Sequence, residues 1–534
     1  MHYARPHGRT AHSDRYEAAL THEPAIAYAP YSVERLDRQD WLRITIILIV
    51  ALVLRVWIVA NTEVCARDTI GFVRYARMLD EQPASSVVRS MHQMPGFPLA
   101  LLLVSKPVLA VHNGPESEAY VLSAQIVNVL ASLLTVPALY IAGRVFGSKN
   151  CGLFAALLFQ LLPGWLQVTS DGLSEGLFFL FVAWGFAFGV LALQEAKVHR
   201  FALAGLFTGA AYLTRPEGAE LLPVICLATI VFGLMKWGWR ATALRLTVVI
   251  LCATPFIAGY VATTGSLTNK PTSRIMLQGQ ETAAADTHGS LQLPLAVFID
   301  TQTQAASSKW LTATKMLGSE TSRSLRYVGG LLALAGVAIG WRQLRFNPAY
   351  WLGLFLTALH ALVLWRMAFV IGYLSERHTL LIVLPALMYA GIALERWGEY
   401  FSSHVPRLRF APIVVVLGIG LSGFSSLSKP LHFNRAGHHA AGRWLADNVQ
   451  AEDEVMDPYA WAYYYSESMF REGRPTLPGP RCKFVVIENG HEHPRLPLVS
   501  AAKSLSLQGE AVYSWARNKH SPEVVVYRIG KQAN

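Results

Sequence analysis

The chain has 534 residues, of which 53% are hydrophobic and 15% are charged, whereas a typical soluble domain has about 25% charged residues. The apolar residues form runs long enough to cross a hydrocarbon layer of about 30 Å as helices, which excludes fibrous, disordered and disulfide-scaffold proteins. The formal net charge of +11 is spread over short loops rather than one basic stripe, which argues against a nucleic-acid partner. We therefore expect an all-α polytopic membrane protein.

In chain order, a polar tail (1–41) precedes about eleven apolar segments that we interpret as transmembrane helices. These segments are 42–60, 120–143, 150–170, 173–194, 201–214, 217–236, 243–263, 325–341, 349–370, 378–397 and 410–428. Arginines and lysines occupy every second loop, and such basic loops stay on the cytoplasmic side. The pattern predicts a multi-pass protein of the cell (inner) membrane whose N-terminal tail is cytoplasmic.

Three parts of the chain are then expected on the extracytoplasmic side: the loop 61–119, the loop 264–323 and the C-terminal part 429–534. In the first loop, the apolar segment 95–112 contains prolines and a lysine, so we expect a re-entrant or interfacial hairpin rather than a span. The C-terminal part is expected to form a small soluble α/β domain beside the transmembrane domain (42–428).

Local patterns in the C-terminal part support that interpretation. Apolar periodicity and β-branched residues predict two helices (441–449 and 498–507) and two strands (483–488 and 523–529). The aromatic segment MDPYAWAYYYS (456–466) is compatible with packing of the domain or with stacking against a sugar. The five cysteines show no paired spacing such as C-x-x-C, so neither a zinc site nor a disulfide framework is predicted.

Ionisable residues near the outer ends of the spans are candidates for function, because such groups are costly beside a membrane. They include Asp68, His92, Lys106, Asp171, Glu175, Arg215, Glu217 and Arg377. One chemistry that needs acids and arginines at a membrane surface is transfer of a sugar from a lipid phosphate to a hydroxyl. A carboxylate removes the proton of the hydroxyl, and cations stabilise the departing phosphate.

Most of these residues also have a structural interpretation. Asp68 opens RDTIGFVRYARML (67–79), an amphipathic pattern, where it is either a general base or the N-cap of the helix. Arg215 and Glu217 are either functional or a pair that solvates the turn at Pro216. Arg377 is functional or reaches the lipid headgroups.

Five segments, in this order, resemble the GT-C glycosyltransferases that use lipid-linked sugars. The most similar type is the dolichyl-phosphate-mannose protein mannosyltransferase family (glycosyltransferase family 39) with its bacterial relatives. The segments are RDTIGFVRYARML (67–79), HQMPGFPLALL (92–102), VLSAQIVNVLASLLTVPALYIAGRVFG (121–147), LLPGWLQVTSDGLSEGLFFLF (161–181) and LTRPEG (213–218). The resemblance covers about residues 42–400, and many bacterial members carry a similar α/β tail.

The resemblance implies a GT-C fold and roles for particular residues. Asp68 takes the place of the catalytic acid. His92, Arg215 and Arg377 occupy places similar to those of residues that hold the donor phosphate, and Lys106 does so less clearly. Family members often have a second acid beside the first, but Thr69 stands there in this chain. The candidates for a second acid are Asp171, Glu175 and Glu217.

The function expected from the resemblance is inverting transfer of mannose or a similar hexose from a polyprenyl- or dolichyl-phosphate donor. The acceptor is a protein or a glycan on the extracytoplasmic side. Some relatives bind a divalent metal ion near the acid, but no ligand set predicts one here, so no cofactor is assigned and a metal remains open. A transporter or lipid-linked-glycan flippase is the alternative, although the chain lacks the inverted repeats that such a carrier has. A third interpretation is a sensor or scaffold with an inert membrane domain.

Overall fold

The computed structural model describes residues 36–271, 306–450, 452–472, 482–489, 497–518 and 523–530. Most of the tail predicted for 1–41, and most of the loop predicted for 264–323, lie outside these residues.

Helices make up most of the described chain before residue 450. The first series is α1 (Arg38–Ala60), α2 (Arg67–Glu81), α3 (Ala84–Ser90), α4 (Gly96–Val111), α5 (Glu116–Phe146), α6 (Lys149–Leu161), α7 (Pro163–Val168), α8 (Glu175–Glu195), α9 (Val198–Thr214), α10 (Leu221–Lys236) and α11 (Gly238–Thr264). The second series is α12 (Ala306–Ser324), α13 (Val328–Leu344), α14 (Pro348–Ile371), α15 (Leu380–His404), α16 (Ala411–Leu421) and α17 (Phe424–Leu427). Short 3₁₀ turns, Pro216–Glu220 and Glu376–Thr379, lead into α10 and α15.

Seven helices of the described chain are long and apolar enough to cross a membrane. Counting each 3₁₀ turn with the helix that it begins, they are Arg38–Ala60, Glu116–Phe146, Glu175–Glu195, Pro216–Lys236, Gly238–Thr264, Pro348–Ile371 and Glu376–His404. A pair bent by 98°, Lys309–Ser324 with Val328–Trp341, makes eight if it counts as one span. The prediction of an all-α polytopic membrane protein is confirmed.

The span count is lower than the eleven predicted segments, although each segment coincides with helical structure. Segment 150–170 is divided at Pro163, which starts a new helix because proline is tolerated in the first turn. Segment 201–214 corresponds to α9, which has 17 residues. Segment 410–428 corresponds to α16, with 11 residues, followed by the short α17. Each of these is shorter than a helix that crosses about 30 Å of hydrocarbon.

The prediction of a hairpin at 95–112 is wrong, because this segment forms one continuous 16-residue helix, α4. Pro98 lies in the first turn, where the backbone needs no intrahelical donor, and Pro107 interrupts the hydrogen bonding of only one turn. Phe97 and Leu101 of α4 are fully buried. The Phe97 ring meets that of Phe72 in α2 edge to face, at 4.9 Å between centroids.

Burial divides the helices into a central and a peripheral set. Helices α8 and α15 are central: in an apolar 18-residue stretch of each span, 83% and 94% of the residues are buried. Helix α1 is peripheral, and one of its sides exposes large apolar residues: Trp41, Leu42, Ile46, Ile49, Leu52, Val53, Val56 and Trp57. Such a surface is stable where lipid tails, rather than water, surround the helix.

The C-terminal part contains a four-stranded sheet with strand order β1-β2-β4-β3. Its elements are α18 (Ala436–Asn448), β1 (Glu454–Met456), α19 (Trp461–Tyr465), β2 (Lys483–Asn489), α20 (Pro497–Ser506), β3 (Glu510–Trp515) and β4 (Glu523–Ile529). Strand β1 is parallel to β2, and the other pairs are antiparallel. The two predicted helices and two predicted strands are present, and β1 and β3 were missed.

The aromatic segment of the C-terminal part packs against residues of the segment 61–119. The Tyr465 hydroxyl accepts a hydrogen bond from the Cys65 backbone N–H (2.9 Å), and the Trp461 indole donates to the Cys65 carbonyl (2.9 Å). The Tyr464 hydroxyl donates to the carbonyl of Ser117 at 2.7 Å. These rings are buried, so of the two interpretations of 456–466 the structure favours packing.

Candidate functional site

A cavity of about 580 Å³ lies where the ends of several helices meet. Its lining includes the first turn of α2, the turn 92–94, the start of α8, the end of α9 with the following 3₁₀ turn, residues 267–271 and residues 371–378. Apolar side chains near the end of α14 form one wall: Val363, Leu364, Met367 and Ile371. Six of the predicted site residues line this cavity: Asp68, His92, Glu175, Arg215, Glu217 and Arg377.

Asp68 contributes a carboxylate to this cavity from the first turn of α2. The N-cap of α2 is Ala66, with no side-chain cap, so capping by Asp68 is wrong. Its Oδ2 instead accepts a hydrogen bond from Arg377 Nη1 at 2.6 Å, and 47% of its side chain is exposed. Burial raises the pKa of the Asp68 carboxyl, but the charge and hydrogen bond of Arg377, then the charges of Arg215 and Lys270, outweigh burial and lower the pKa below its usual value.

Arg377 begins a chain of alternating charges along the cavity. Arg377 Nη1 lies 4.0 Å from Glu175 Oε1, to which Arg215 Nη1 donates at 2.6 Å. Arg215 Nε lies 3.4 Å from Glu217 Oε2, and Lys270 Nζ lies 3.2 Å from Glu217 Oε1. Including Asp68, this series of side chains contains three acids and three bases, whose formal charges cancel. A bound anion must therefore compete with carboxylates for these cations.

Proline and the chain reversal that follows α9 determine where Arg215 lies. Arg215 is the C-cap of α9 with an extended backbone (φ −151°, ψ 140°), as expected for a residue before proline. Pro216 starts the 3₁₀ turn. The guanidinium is thereby placed between Glu175 at the start of α8 and Glu217 in the turn, and also lies over the Phe178 ring, 5.7 Å from its centroid.

The turn that carries Arg377 is held from both sides. Ser375 and His378 form a capping box at its start. The buried His360 of α14 lies 2.7 Å (Nε2) from the carbonyl oxygen of His378 and 2.8 Å (Nδ1) from Glu220 Oε2. Sequence reasoning missed His360, although a histidine inside a predicted span was a signal for it.

His92 reaches the cavity because α4 starts very close to the end of α9. A Cβ on Gly96 would lie 2.7 Å from the carbonyl oxygen of Leu213, so only glycine permits this approach. The turn before Gly96, which includes His92 and Gln93, is thereby placed at the cavity.

Two predicted site residues do not line the cavity. Lys106 has a 60% exposed side chain and pairs with Asp80 at 2.8 Å. It lies on α4, well after the N-terminal turn that approaches α9, so the structure places it apart from the cavity. Asp171 is buried and accepts hydrogen bonds from the Gly172 backbone N–H (2.7 Å) and from His432 (2.7 Å). Its carboxylate serves these contacts rather than the cavity.

Lys270 lines the cavity and was missed. It follows α11 in the loop predicted for 264–323, and that loop contained no recognised motif. A lysine just after an apolar segment, on the predicted extracytoplasmic side where basic residues are rare, was the available signal. Thr69, where relatives often have a second acid, is buried and donates to the Gly172 carbonyl at 2.9 Å, away from the cavity.

The residues present do not form a metal site as arranged. Within the described ranges, no group of three or more His, Cys, Asp or Glu side chains could hold a metal ion. The carboxylates of Asp68, Glu175 and Glu217 each contact a cationic side chain instead. We therefore derive no catalytic step through a metal.

Comparisons with known proteins agree with this fold. The sequence model of the family described as dolichyl-phosphate-mannose-protein mannosyltransferase matches residues 118–258. This range includes Glu175, Arg215 and Glu217 but neither Asp68 nor Arg377. No curated protein sequence matches the chain.

Two solved proteins share the fold at low sequence identity. One is ArnT from Cupriavidus metallidurans bound to undecaprenyl phosphate (TM-score 0.55, 15% identity, 93% of this chain and 100% of that chain). The other is the Archaeoglobus fulgidus oligosaccharyltransferase AglB, solved in the apo form (TM-score 0.52, 12% identity, 81% of this chain and 64% of that chain) and in complex with an inhibitory peptide and a dolichol-phosphate (TM-score 0.52, 11% identity, with the same coverage). The chain thus covers about two thirds of AglB. Residues 118–258 are thus similar to the family described as dolichyl-phosphate-mannose-protein mannosyltransferase, and the chain shares the fold of ArnT and AglB.

Proposed function

We propose that the chain transfers a sugar, mannose or a similar hexose, from a polyprenyl- or dolichyl-phosphate donor to an acceptor hydroxyl of a protein or glycan. The reaction would take place at the extracytoplasmic surface, with inversion at the anomeric carbon. One observation carries the proposal: Asp68 and Arg377 meet at 2.6 Å in a cavity that also contains Arg215. A base and two phosphate-binding cations are what this reaction needs.

In the proposed reaction, Asp68 accepts the proton of the acceptor hydroxyl as the hydroxyl oxygen forms a bond to the anomeric carbon. The bond between that carbon and the phosphate oxygen breaks, and its electron pair leaves with the lipid phosphate. The phosphate therefore gains a second negative charge, which Arg377 and Arg215 stabilise. In the free protein both arginines contact carboxylates. When the donor phosphate binds, it draws Arg377 away from Asp68, and the Asp68 carboxylate becomes more basic.

Other cavity residues support a lipid phosphate as the donor. Lys270 and His92 line the same space and add donors for phosphate oxygens. The apolar wall of α14 offers contacts to an isoprenoid chain. ArnT and AglB were solved with such lipid phosphates. The charged residues lie at helix ends rather than at the middle of broken helices, which favours a transferase over a carrier.

The test uses full-length protein in nanodiscs, undecaprenyl phosphate carrying radiolabelled mannose or glucose, and a membrane extract as acceptor. We expect the wild type to transfer label, and Asp68→Asn to lower the rate by about 10²–10⁴-fold, the contribution of a general base. Asp80→Asn is the matched control, because Asp80 lies on the same helix and pairs with Lys106 outside the cavity.

Undecaprenyl phosphate binding by Asp68→Asn should be retained, which separates loss of the base from unfolding. A wild type that neither binds the lipid phosphate nor transfers sugar would exclude the proposed function. Transfer at the wild-type rate by a folded Asp68→Asn would exclude Asp68 as the base.

A further inference from the structure

The carboxylate of Asp171 connects three parts of the chain that are distant in sequence. Its Oδ1 accepts hydrogen bonds from the backbone N–H groups of Gly172 (2.7 Å) and Ala66 (3.4 Å). Its Oδ2 accepts one from His432 Nε2 at 2.7 Å. Asp171 is only 3% exposed, so each of these bonds replaces water that the carboxylate has lost.

Two of these partners adjoin residues that line the cavity. Ala66 is the N-cap of α2, two residues before Asp68. Gly172 lies three residues before Glu175, and its carbonyl accepts a hydrogen bond from Thr69 at 2.9 Å. A Cβ on Gly172 would lie 2.5 Å from the Thr69 side chain, so the two segments are in close contact. Asp171 therefore fixes the start of α2 relative to the start of α8.

The third partner, His432, lies where the membrane domain joins the C-terminal domain. The preceding residue, Leu431, donates its backbone N–H to the carbonyl of Asn61 at 3.2 Å. His432 has a left-handed backbone (φ +52°), which is uncommon for a residue other than glycine and needs support from its surroundings. Burial lowers the pKa of His432, but its hydrogen bond to Asp171 and the charge of that carboxylate outweigh burial and raise the pKa.

We propose that His432 and Asp171 are positioning residues for the sugar transfer, and that through them the C-terminal domain orients the general base. The inference rests on the proposed function, and neither residue touches substrate. His432 holds Asp171 Oδ2, which orients Oδ1 toward the N–H groups of Ala66 and Gly172, and the contact with Ala66 places Asp68 against Arg377.

This arrangement predicts a specific kinetic result. Loss of the bridge would misplace Asp68 while leaving Arg215 and Lys270 in place, since no contact of His432 or Asp171 reaches them among the described residues. The turnover number should then fall more than the affinity for the lipid phosphate. Displacement of a reacting group by about 1 Å costs up to roughly 100-fold in rate.

The experiment compares His432→Leu and His432→Gln with wild type in the nanodisc transfer assay. Gln places an amide nitrogen near the position of His Nε2 and can donate to Asp171, whereas Leu cannot. The control is Arg443→Gln. It removes another ion pair between the C-terminal domain and the membrane domain, the pair of Arg443 with Glu118 at 3.1 Å, which does not involve Asp171. Undecaprenyl phosphate affinity is measured for each variant.

We expect His432→Leu to lower kcat by about 10- to 100-fold with the lipid-phosphate Kd within about twofold of wild type. His432→Gln should recover most of the rate, and Arg443→Gln should match wild type. If His432→Leu keeps the wild-type kcat, or if Arg443→Gln loses as much activity as His432→Leu, the inference is overturned.

Hydrogen exchange of peptides that contain residues 66–69 separates this inference from the proposed function. With the bridge in place, His432→Leu should speed their exchange, and His432→Gln should do so less. Should the wild type transfer no sugar, the proposed function fails. Faster exchange in His432→Leu would still support the bridge, and unchanged exchange would overturn it.

Discussion

Two networks of acidic and basic residues lie at opposite ends of α1. Both consist of ion pairs and hydrogen bonds, but only one of them surrounds a cavity. At the N-terminal end, Asp37 and Asp40 form a capping box. Asp40 also accepts hydrogen bonds from the Tyr140 hydroxyl (2.7 Å) and Arg144 (3.0 Å), and Lys149 pairs with Asp37. Asp40 is fully buried. This network ties α1 to α5 and α6.

The network beyond the other end of α1 has similar charges but surrounds a cavity. Asp68 and Arg377 are both partly exposed to it, with 47% and 35% of their side chains accessible. Charged residues at helix ends therefore do not by themselves identify a site. Open space beside polar atoms that could exchange partners is the distinguishing feature.

The largest expected effect comes from breaking one buried pair in each network. Arg215→Gln removes the nearest cation of Glu175 and leaves only the 4.0 Å contact with Arg377, and Asp40→Asn leaves Arg144 without its carboxylate. Removing one partner of a buried ion pair costs about 3–5 kcal/mol, so both variants should unfold at lower temperature in detergent. Only Arg215→Gln should also lose undecaprenyl phosphate binding and sugar transfer per folded molecule.

This pair of variants can contradict the comparison in two ways. If Asp40→Asn lowers transfer per folded molecule as much as Arg215→Gln does, the N-terminal network contributes to function. Full lipid-phosphate binding by Arg215→Gln would remove Arg215 from the proposed donor site.

A smaller effect is expected in the pH dependence of transfer. The Arg377 charge is the main influence that lowers the pKa of Asp68, whereas burial raises it. Because only the ionised carboxylate can act as base, kcat/KM should fall as pH drops through this pKa. In Arg377→Gln the pKa rises, so the acidic limb should move to higher pH, and the plateau should fall by about tenfold or more because a phosphate-binding charge is lost.

The same lowered pKa affects stability with a defined sign. Ionised Asp68 contributes stability at pH values above its pKa in the unfolded chain, and the contribution disappears as pH falls through the folded pKa. Arg377→Gln should therefore reduce the stability difference between neutral and acidic pH, measured by thermal unfolding. Profiles of rate and stability that coincide with wild type would mean that Arg377 does not act on Asp68.

Features encoded within a few consecutive residues could be predicted from the sequence. The amphipathic pattern after Asp68 predicts α2, and the proline after Arg215 predicts the end of α9. The β-branched runs gave β2 and β4, whereas β1 has three residues and β3 alternates poorly, so both were missed.

Contacts between distant segments could not be predicted, because no local pattern encodes a partner. Asp68 and Arg377 are 309 residues apart, and Asp171 and His432 are 261 apart. Asp171 was therefore expected at the site as a second acid, and only its three-dimensional contacts show that it faces away from the cavity. The bend between α12 and α13 likewise lies outside what hydropathy can report.

The smallest expected effect distinguishes two lysines, the predicted Lys106 and the unpredicted Lys270. Lys270 lines the cavity and is 3.2 Å from Glu217, so Lys270→Gln should raise the donor KM by about tenfold through loss of one charge-assisted contact. Lys106→Gln should leave KM, kcat and the unfolding temperature unchanged, since exposed pairs such as Lys106–Asp80 contribute little. The measurement is the donor concentration dependence of transfer. The reverse result, with Lys106→Gln impaired and Lys270→Gln unaffected, would move the phosphate site from the cavity to the exposed side of α4.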